Sequence, residues 1–215
     1  MIEELDRNVQ LDFLLDVFFN LGWKIFPLHN VIFSRNESSV RCSCFAGPLC
    51  PTIGKHPLVR WTDQRFYPDT NGIRLYHAQG VTGWGVHLGF SGVGCLDVDP
   101  RNGGDASAAI KNLNYEKSPP LLATHTGSGG VHLYFPAGPG VHPIHGFLCP
   151  DGDYCTKLGE DPGIDCLAGQ HFTILPWSRH KSGKLYIPFK PPQQVFYQRI
   201  ANVIDQNVRM GAFLN

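Results

Sequence analysis

Between residues 83 and 136 the chain offers four apolar runs, each six or seven residues long and each cut off by glycine. They read GWGVHLG (83–89), VGCLDVD (93–99), LLATHTG (121–127) and VHLYFP (131–136). Runs of this length suit strands and are too short for helices. Strands separated by a few glycine-containing residues fold back on each other. The spacing therefore predicts two hairpins, one about a Phe90–Gly92 turn and one about Ser128-Gly129-Gly130. Shorter strands are expected in WKIFPL (23–28), in GIDCLAGQHFTILP (163–176) and in LYIPF (185–189). Helical spacing of apolar residues covers 9–21, with Gly22 as its stop. A weaker helix spans 71–79, another follows Asp105 as N-cap over 105–115, and an amphipathic one covers 192–208. The stretch 137–163, rich in Gly, Pro and Asp, reads as an insertion. Strands thus outnumber helices, which predicts an α+β fold with a mixed or antiparallel sheet in a single domain spanning 1–215. The 24 glycines and 17 prolines fit that count of turns.

Seven cysteines are too many to pass over. Cys42, Cys44, Cys50 and His56 follow a C-x-C-x5-C-x5-H pattern inside the irregular loop 41–57, where Gly47, Pro48 and Gly54 supply bends. Three thiols and an imidazole are a zinc donor set, and four protein ligands make a closed, structural site. The alternative is a disulfide or free thiols, which a reducing compartment disfavours for the former. A looser group, His142, His145, Cys149 and Cys155, is compatible with a second zinc site, a Cys149–Cys155 disulfide, or neither. Cys95 and Cys166 lie in strand-like runs and read as small core residues.

Asp97 and Asp99 end the run VGCLDVD. Side chains two apart on a strand share a face, so both carboxylates face one way and Leu96 and Val98 face the core. Hard oxygen donors of this kind suit Mg²⁺ or Mn²⁺. Alone, D-x-D before Pro-Arg-Asn-Gly-Gly is equally an ordinary turn. Further pieces follow downstream. THTGSGGVH presents backbone N–H groups and the Ser128 hydroxyl at a glycine turn suited to phosphate oxygens, with His132 beside it. Asp165 adds a third carboxylate. PWSRHKSGKLY gathers Arg179, His180, Lys181 and Lys184. Three acids, a glycine/Ser/His turn and a basic cluster are the equipment of metal-dependent phosphoryl or nucleotidyl transfer.

In order and spacing, LGWKIFPL, C-x-C…C…GKHP, GWGVHLGFSGVGCLDVD, THTGSGGVHLYF and GIDCLAGQHFTILPWSRHKSGKLY resemble the bifunctional primase–polymerase (prim-pol) domain of the archaeo-eukaryotic primase superfamily. The resemblance covers about residues 11–190. It implies a catalytic sheet like that of an RNA-recognition motif, packed with a second α/β unit. It further implies Asp97, Asp99 and Asp165 as catalytic ligands of two Mg²⁺ or Mn²⁺ ions, and Ser128 and His132 as the nucleotide-binding pair. The basic turn Ser178-Arg179-His180 would approach nucleotide or template, and Lys55 of GKHP is a further candidate for phosphate contact. The chain departs from many relatives after Asp165, where Cys166-Leu167-Ala168-Gly169 replaces a segment bearing an Arg. Relatives also vary at 137–163, some carrying a zinc-binding stem there.

The expected activity is template-dependent nucleotidyl transfer on single-stranded DNA, using NTPs or dNTPs, with or without a primer strand. A helicase in the same or a neighbouring polypeptide is an expected partner, although the chain contains no G-x-x-x-x-G-K-[ST] motif. Competing readings are a metal-dependent nuclease or phosphodiesterase and a non-catalytic single-stranded nucleic-acid-binding module. A nicking initiator ranks behind them, since Tyr134 follows His132 too closely for the usual Tyr and His-cluster arrangement. Net charge is zero, which argues against a basic footprint over the whole surface but leaves room for a local one. No run approaches the roughly 20 apolar residues of a membrane span. The acidic, polar start MIEELDRNVQ is unlike a secretory leader, so a cytoplasmic placement is expected.

Overall fold

The computed structural model describes residues 2–34, 39–105, 120–136, 154–155 and 163–189. In chain order the elements are α1 (Ile2–Leu21), β1 (Ile25–Leu28), β2 (Val31–Phe33), β3 (Val40–Cys42), α2 (Thr70–Ala78), β4 (Gly83–His87), α3 (Leu88–Ser91), β5 (Val93–Val98), β6 (Leu122–His125), β7 (Val131–Pro136), β8 (Tyr154–Cys155), β9 (Ile164–Leu167), β10 (Phe172–Ile174) and β11 (Ile187–Pro188). They form an α+β fold. A three-stranded sheet runs β1-β4-β10, a six-stranded sheet β11-β6-β7-β5-β9-β8, and β2 and β3 make a separate ribbon. Every pairing between these strands is antiparallel. The expected helices at 105–115 and 192–208 lie outside the described residues. So do His142, His145 and Cys149, while Cys155 is described only as backbone in β8.

Two expectations need correction. The hairpin predicted over 83–99 does not form. Both sides of β4 are taken, by β1 and β10, and β5 pairs with β7 and β9 in the other sheet. The residues read as a turn make a helical one. The His87 side chain accepts a hydrogen bond from the Phe90 N–H (3.1 Å), and Gly92 ends the turn at φ 61°. That turn carries the chain from one sheet to the other. The loop 41–57 is also less irregular than expected, because its first residues close the β2–β3 ribbon. The hairpin at 121–136 forms as predicted, with Leu122 opposite Tyr134 and His125 opposite Val131.

The main core lies between the sheets. Val9, Phe13, Leu14 and Val17 of α1 and Ile73 of α2 meet Ile25, Trp84 and Val86 of the small sheet and Cys95, Leu122 and Tyr134 of the large one. Gln10, itself buried, secures α1 by donating from Nε2 to the carbonyls of Thr82 (2.8 Å) and Trp177 (3.1 Å). The opposite face of the large sheet is a second apolar layer of Leu96, Val98, Ala123, Val131, Leu133, Phe135, Ile164 and Cys166. Each fully buried leucine, valine or phenylalanine contributes about 1.5–3 kcal/mol. Cys95 and Cys166 are therefore core residues, as expected, on opposite faces. A third group, Phe26, Leu28, Ile174 and Tyr186, packs with Trp61, Tyr67 and Phe172 beyond the small sheet. Strand alternation divides β5 between layers: Leu96 and Val98 face one, while Cys95 and Asp97 face the other.

Candidate functional site

β5 lies inside the large sheet, flanked by β7 and β9. Its register sets Asp97 opposite His132 on one side and opposite Asp165 on the other. His132 is in turn opposite Thr124 of β6. Cross-strand partners share a face, so Thr124, His132, Asp97 and Asp165 form one row across four strands. His132 Nε2 lies 3.5 Å from Asp97 Oδ1. The other ring nitrogen, Nδ1, is 3.3 Å from the Tyr134 hydroxyl, which donates to the Ile174 carbonyl (3.2 Å) and accepts from Thr173 Oγ1 (3.0 Å). Tyr134 is fully buried, so it fixes the orientation of the imidazole from below. Burial pushes the Asp97 carboxyl up, but the His132 hydrogen bond and charge, with Lys55 beyond, outweigh it and leave it below the ordinary value. Thr124 Oγ1, at the end of the row, is buried with no hydrogen-bond partner. Sequence reading did not pick out Thr124 or Tyr134 as site residues.

Asp99 behaves differently from its neighbour. It caps a short 3-10 turn, Pro100–Asn102. Its carboxylate accepts from Arg101 N (3.0 Å), Arg101 Nε (2.9 Å), Arg101 Nη2 (2.7 Å) and Asn102 Nδ2 (3.3 Å). The Arg101 hydrogen bonds, foremost, hold it below the usual carboxylate range. Arg101 was missed in the sequence, although it sits in the same PRN segment as the D-x-D pair.

The Ser128 turn is tied to both β5 and the basic segment. Thr126 Oγ1 lies 2.9 Å from Ser128 Oγ and accepts from the Gly130 N–H (2.9 Å). Gly130 passes the Val98 carbonyl too closely for any side chain, and Gly127 passes His180 in the same way. Ser182 Oγ donates to the Gly127 carbonyl (2.8 Å), and the Ser182 N–H donates to His180 Nδ1 (3.1 Å). Burial, then the charges of Lys55, Lys181 and Arg101, push the His180 imidazole down to about 4. Ser178, expected to face nucleotide with its neighbours, is instead wholly buried. Its Oγ accepts from the Trp84 N–H (3.0 Å) and donates to the Trp84 carbonyl (3.3 Å), pinning the basic segment to β4. Arg179 is exposed, with its guanidinium 5.9 Å from the Phe33 ring centroid.

Cys42, Cys44, Cys50 and His56 converge. Their ligand atoms all lie within 4.8 Å of one another. Cys50 Sγ and Cys42 Sγ are 3.5 and 3.9 Å from His56 Nδ1. Tetrahedral ligands at zinc distances stand about 3.5–3.8 Å apart, so the donor set and spacing both fit zinc. Cys42, Cys44 and Cys50 are free thiols. Burial pushes the Cys42 thiol up to about 12. Burial also opposes ionisation of Cys44, but hydrogen bonds from Cys42, His56 and Cys50 win and bring it down to about 7. The loop is fastened to β1. His29 N–H donates to the His56 carbonyl (2.7 Å), Leu58 N–H to the Pro27 carbonyl (3.0 Å), and the His29 and His56 rings lie 4.7 Å apart. Gly54, at φ 80°, packs against Val31 and the backbone of Arg179 and Lys181. Lys55 is thereby brought near enough for its charge to act on Asp97, Asp99 and His180.

Among the described residues the Cys/His tetrad is the one group of three or more donors gathered this tightly. The three carboxylates are less converged. Asp97 and Asp165 share a face as direct cross-strand partners, and Asp99 is occupied by Arg101. Like charges set opposite each other on a sheet are destabilising unless a cation intervenes. The oxygen donors of Asp97 and Asp165 are of the chemical kind that a divalent ion takes. Among the described residues, no helix is long and apolar enough to cross a membrane.

No curated protein matches the chain. A family model, Prim-Pol (bifunctional DNA primase/polymerase, N-terminal), matches residues 15–203, from within α1 past the basic segment. The match takes in the Cys/His loop, the carboxylate row and the Ser128 turn together, and the chain belongs to the Prim-Pol family.

Proposed function

We propose that this protein carries out template-dependent nucleotidyl transfer, making or extending a strand on single-stranded DNA from NTPs or dNTPs. The observation that carries the reading is the row His132–Asp97–Asp165 on three adjacent strands, flanked by the Ser128 turn, in a chain of the Prim-Pol family. Residues 1–215 act as one catalytic domain in this reading. Asp97 and Asp165, with Asp99, would hold catalytic Mg²⁺ or Mn²⁺. Such ions acidify the attacking 3′-hydroxyl and neutralise charge on the triphosphate.

The chain's own groups do the rest by position. His132, steadied by Tyr134, stands next to Asp97 and donates to a phosphate oxygen. Ser128 and the N–H groups of its glycine turn hold the outer phosphates. Lys55 and His180, both close to the acids, face the same polyanion, with Arg179 on their outer side. The Arg101 guanidinium, held on Asp99, adds a further positive group beside the triphosphate in this reading. The reaction asks for oriented charge in a fixed frame and needs no covalent enzyme intermediate. Cys42, Cys44, Cys50 and His56 would hold a structural zinc that fixes the loop presenting Lys55.

The test is incorporation of labelled nucleotide by wild type, Asp97→Asn and Asp165→Asn with Mg²⁺ or Mn²⁺. Both variants should keep the wild-type melting temperature within a few degrees and lose incorporation by three or more orders of magnitude, as expected when charge stabilisation of the transition state is removed. Full activity in either variant removes the metal assignment. Cleavage of the labelled strand in place of extension would indicate a nuclease.

A further inference from the structure

The chain is neutral overall, yet its charge is unevenly placed. Residues 39–62 and 166–189 contain no Asp or Glu. Between them they carry Arg41, Lys55, Arg60, Arg179, Lys181 and Lys184, and all six are exposed. These two segments meet in space. Gly54 lies against the backbone of Arg179 and Lys181, and Gly183 lies against the ring of Phe33 on the β2–β3 ribbon. Arg41 is paired with Ile32 on that ribbon, and so faces away from Phe33, which is paired with Val40. The Cys/His loop, the Phe33 face of the ribbon and the 179–184 turn therefore adjoin, and their described residues carry basic side chains and no acidic ones. This surface borders the carboxylate row through Lys55 and His180.

Two aromatic rings stand on this surface. Phe33 carries the Arg179 guanidinium above it. Phe45, at the tip of the Cys/His loop, is 109% exposed, and Leu49 beside it is 86% exposed. Phe45 contributes nothing to any core, and a chain gains nothing in folding by holding phenylalanine so fully in water. The metal ligands on either side, Cys44 and Cys50, fix the loop that presents it. A flat ring projecting from a cationic surface matches an unpaired base with its phosphates. A paired duplex offers no free base face to Phe45.

We propose that this surface is the path of the single-stranded template, with Phe45 as a stacking platform and Lys181 and Lys184 as phosphate contacts. The inference rests on the nucleotidyl-transfer reading and adds to it where the strand lies. The probe is a fluorescein-labelled oligothymidylate of about 20 nucleotides, long enough to fill one such groove. Its affinity is measured over a salt series for wild type, Phe45→Ala and Lys181→Glu/Lys184→Glu, alongside dNTP affinity in Ca²⁺, zinc content and melting temperature. Phe45→Ala should weaken oligonucleotide binding about tenfold, the loss of one stacked base. The double charge reversal should weaken it at least as much. It should also lower the slope of log affinity against log salt by about 1.4, the loss of two single-strand phosphate contacts. Zinc content, melting temperature and dNTP affinity should stay at wild-type values.

Wild-type oligonucleotide affinity in both variants overturns the proposed path while leaving nucleotidyl transfer standing. So does a parallel loss of dNTP affinity, which would assign these residues to the nucleotide or the fold. A wild-type protein that binds neither oligonucleotide nor dNTP would instead refute the reading on which the proposal rests.

Discussion

Replacing Gly130 by alanine tests whether the Ser128 turn is set by its contact with β5. An added Cβ would run into the Val98 carbonyl oxygen well inside the 3.0 Å limit of real Cβ contacts, with Pro100 Cδ and Thr126 Oγ1 each only 3.2 Å from it. The obstacle is backbone on the same strand as Asp97, and Gly130 is held by hydrogen bonds with Thr126 at 2.8 and 2.9 Å, so neither side yields easily. The turn must retreat by roughly an ångström, an overpacking that costs about 1–3 kcal/mol. For a chain of this size each kcal/mol lowers the melting temperature by about 2–4 °C, so a fall of roughly 2–12 °C is expected. Because Ser128 retreats with the turn, incorporation should fall by about a hundredfold, the usual consequence of a 1 Å misplacement at a reacting centre. Gly129→Ala is the comparison. Gly129 has φ 90° but open space around it, so it costs only about 1–2 kcal/mol of backbone strain. Its turn stays seated on β5, so its activity should drop far less. Thermal unfolding followed by circular dichroism, with initial rates of incorporation, measures both. A Gly130→Ala protein with wild-type melting and wild-type rates would refute the idea that close backbone approach positions the phosphate-binding turn.

Three further outcomes follow from the site. Chelation should remove zinc from the Cys42/Cys44/Cys50/His56 site and lower the melting temperature, and Cys44→Ser should bind zinc more weakly; a protein that carries no zinc after growth in zinc-supplemented medium contradicts the assignment. Because the Cys42 thiol is pushed up to about 12, metal has to displace its proton, so zinc affinity should rise with pH in a competition titration. The His180 imidazole, pushed down to about 4 from an ordinary 6.5, is neutral when folded, so its share of stability is complete above pH 6.5 and is lost as pH falls towards 4. His180→Gln should flatten denaturation midpoints across that window, and an unchanged pH profile would rule the imidazole out as their source. Tyr134→Phe leaves His132 Nδ1 and Thr173 Oγ1 without their shared partner at a cost of about 1–3 kcal/mol. It should also reduce kcat more than nucleotide affinity, which a purely structural tyrosine would not do.

Local features were legible in the sequence. The hairpin about Ser128 needs only two short runs and a glycine turn. The Cys/His loop needs four donors within one segment. The turning of Leu96 and Val98 to a core layer, away from Asp97, needs only strand alternation. What failed depended on partners distant in the chain. GWGVHLG and VGCLDVD have the spacing of a hairpin, but the His87 cap turns the intervening residues into a helical step, and each strand finds better partners elsewhere. The cross-strand row is a matter of register between segments far apart, which no spacing encodes. Nor does spacing bring Lys55 to the acids; the packing of Gly54 on the 179–181 backbone does. Ser178 looked like part of a basic turn because its neighbours are charged, yet its hydroxyl is spent on Trp84. Arg101 could have been found, since an arginine two residues after Asp99 can reach back to it, but a cation-binding reading of D-x-D directs attention away from a built-in counterion.

The most direct measurement uses a primed single-stranded template of defined sequence, Mg²⁺ or Mn²⁺, and each labelled nucleotide offered singly, with pyrophosphate followed alongside product. The carboxylate row and phosphate-binding turn predict that only the nucleotide complementary to the next template base is joined, with one pyrophosphate released per addition, and that Asp97→Asn does neither. Strand shortening without pyrophosphate, or incorporation that ignores the template base, would contradict template-dependent nucleotidyl transfer.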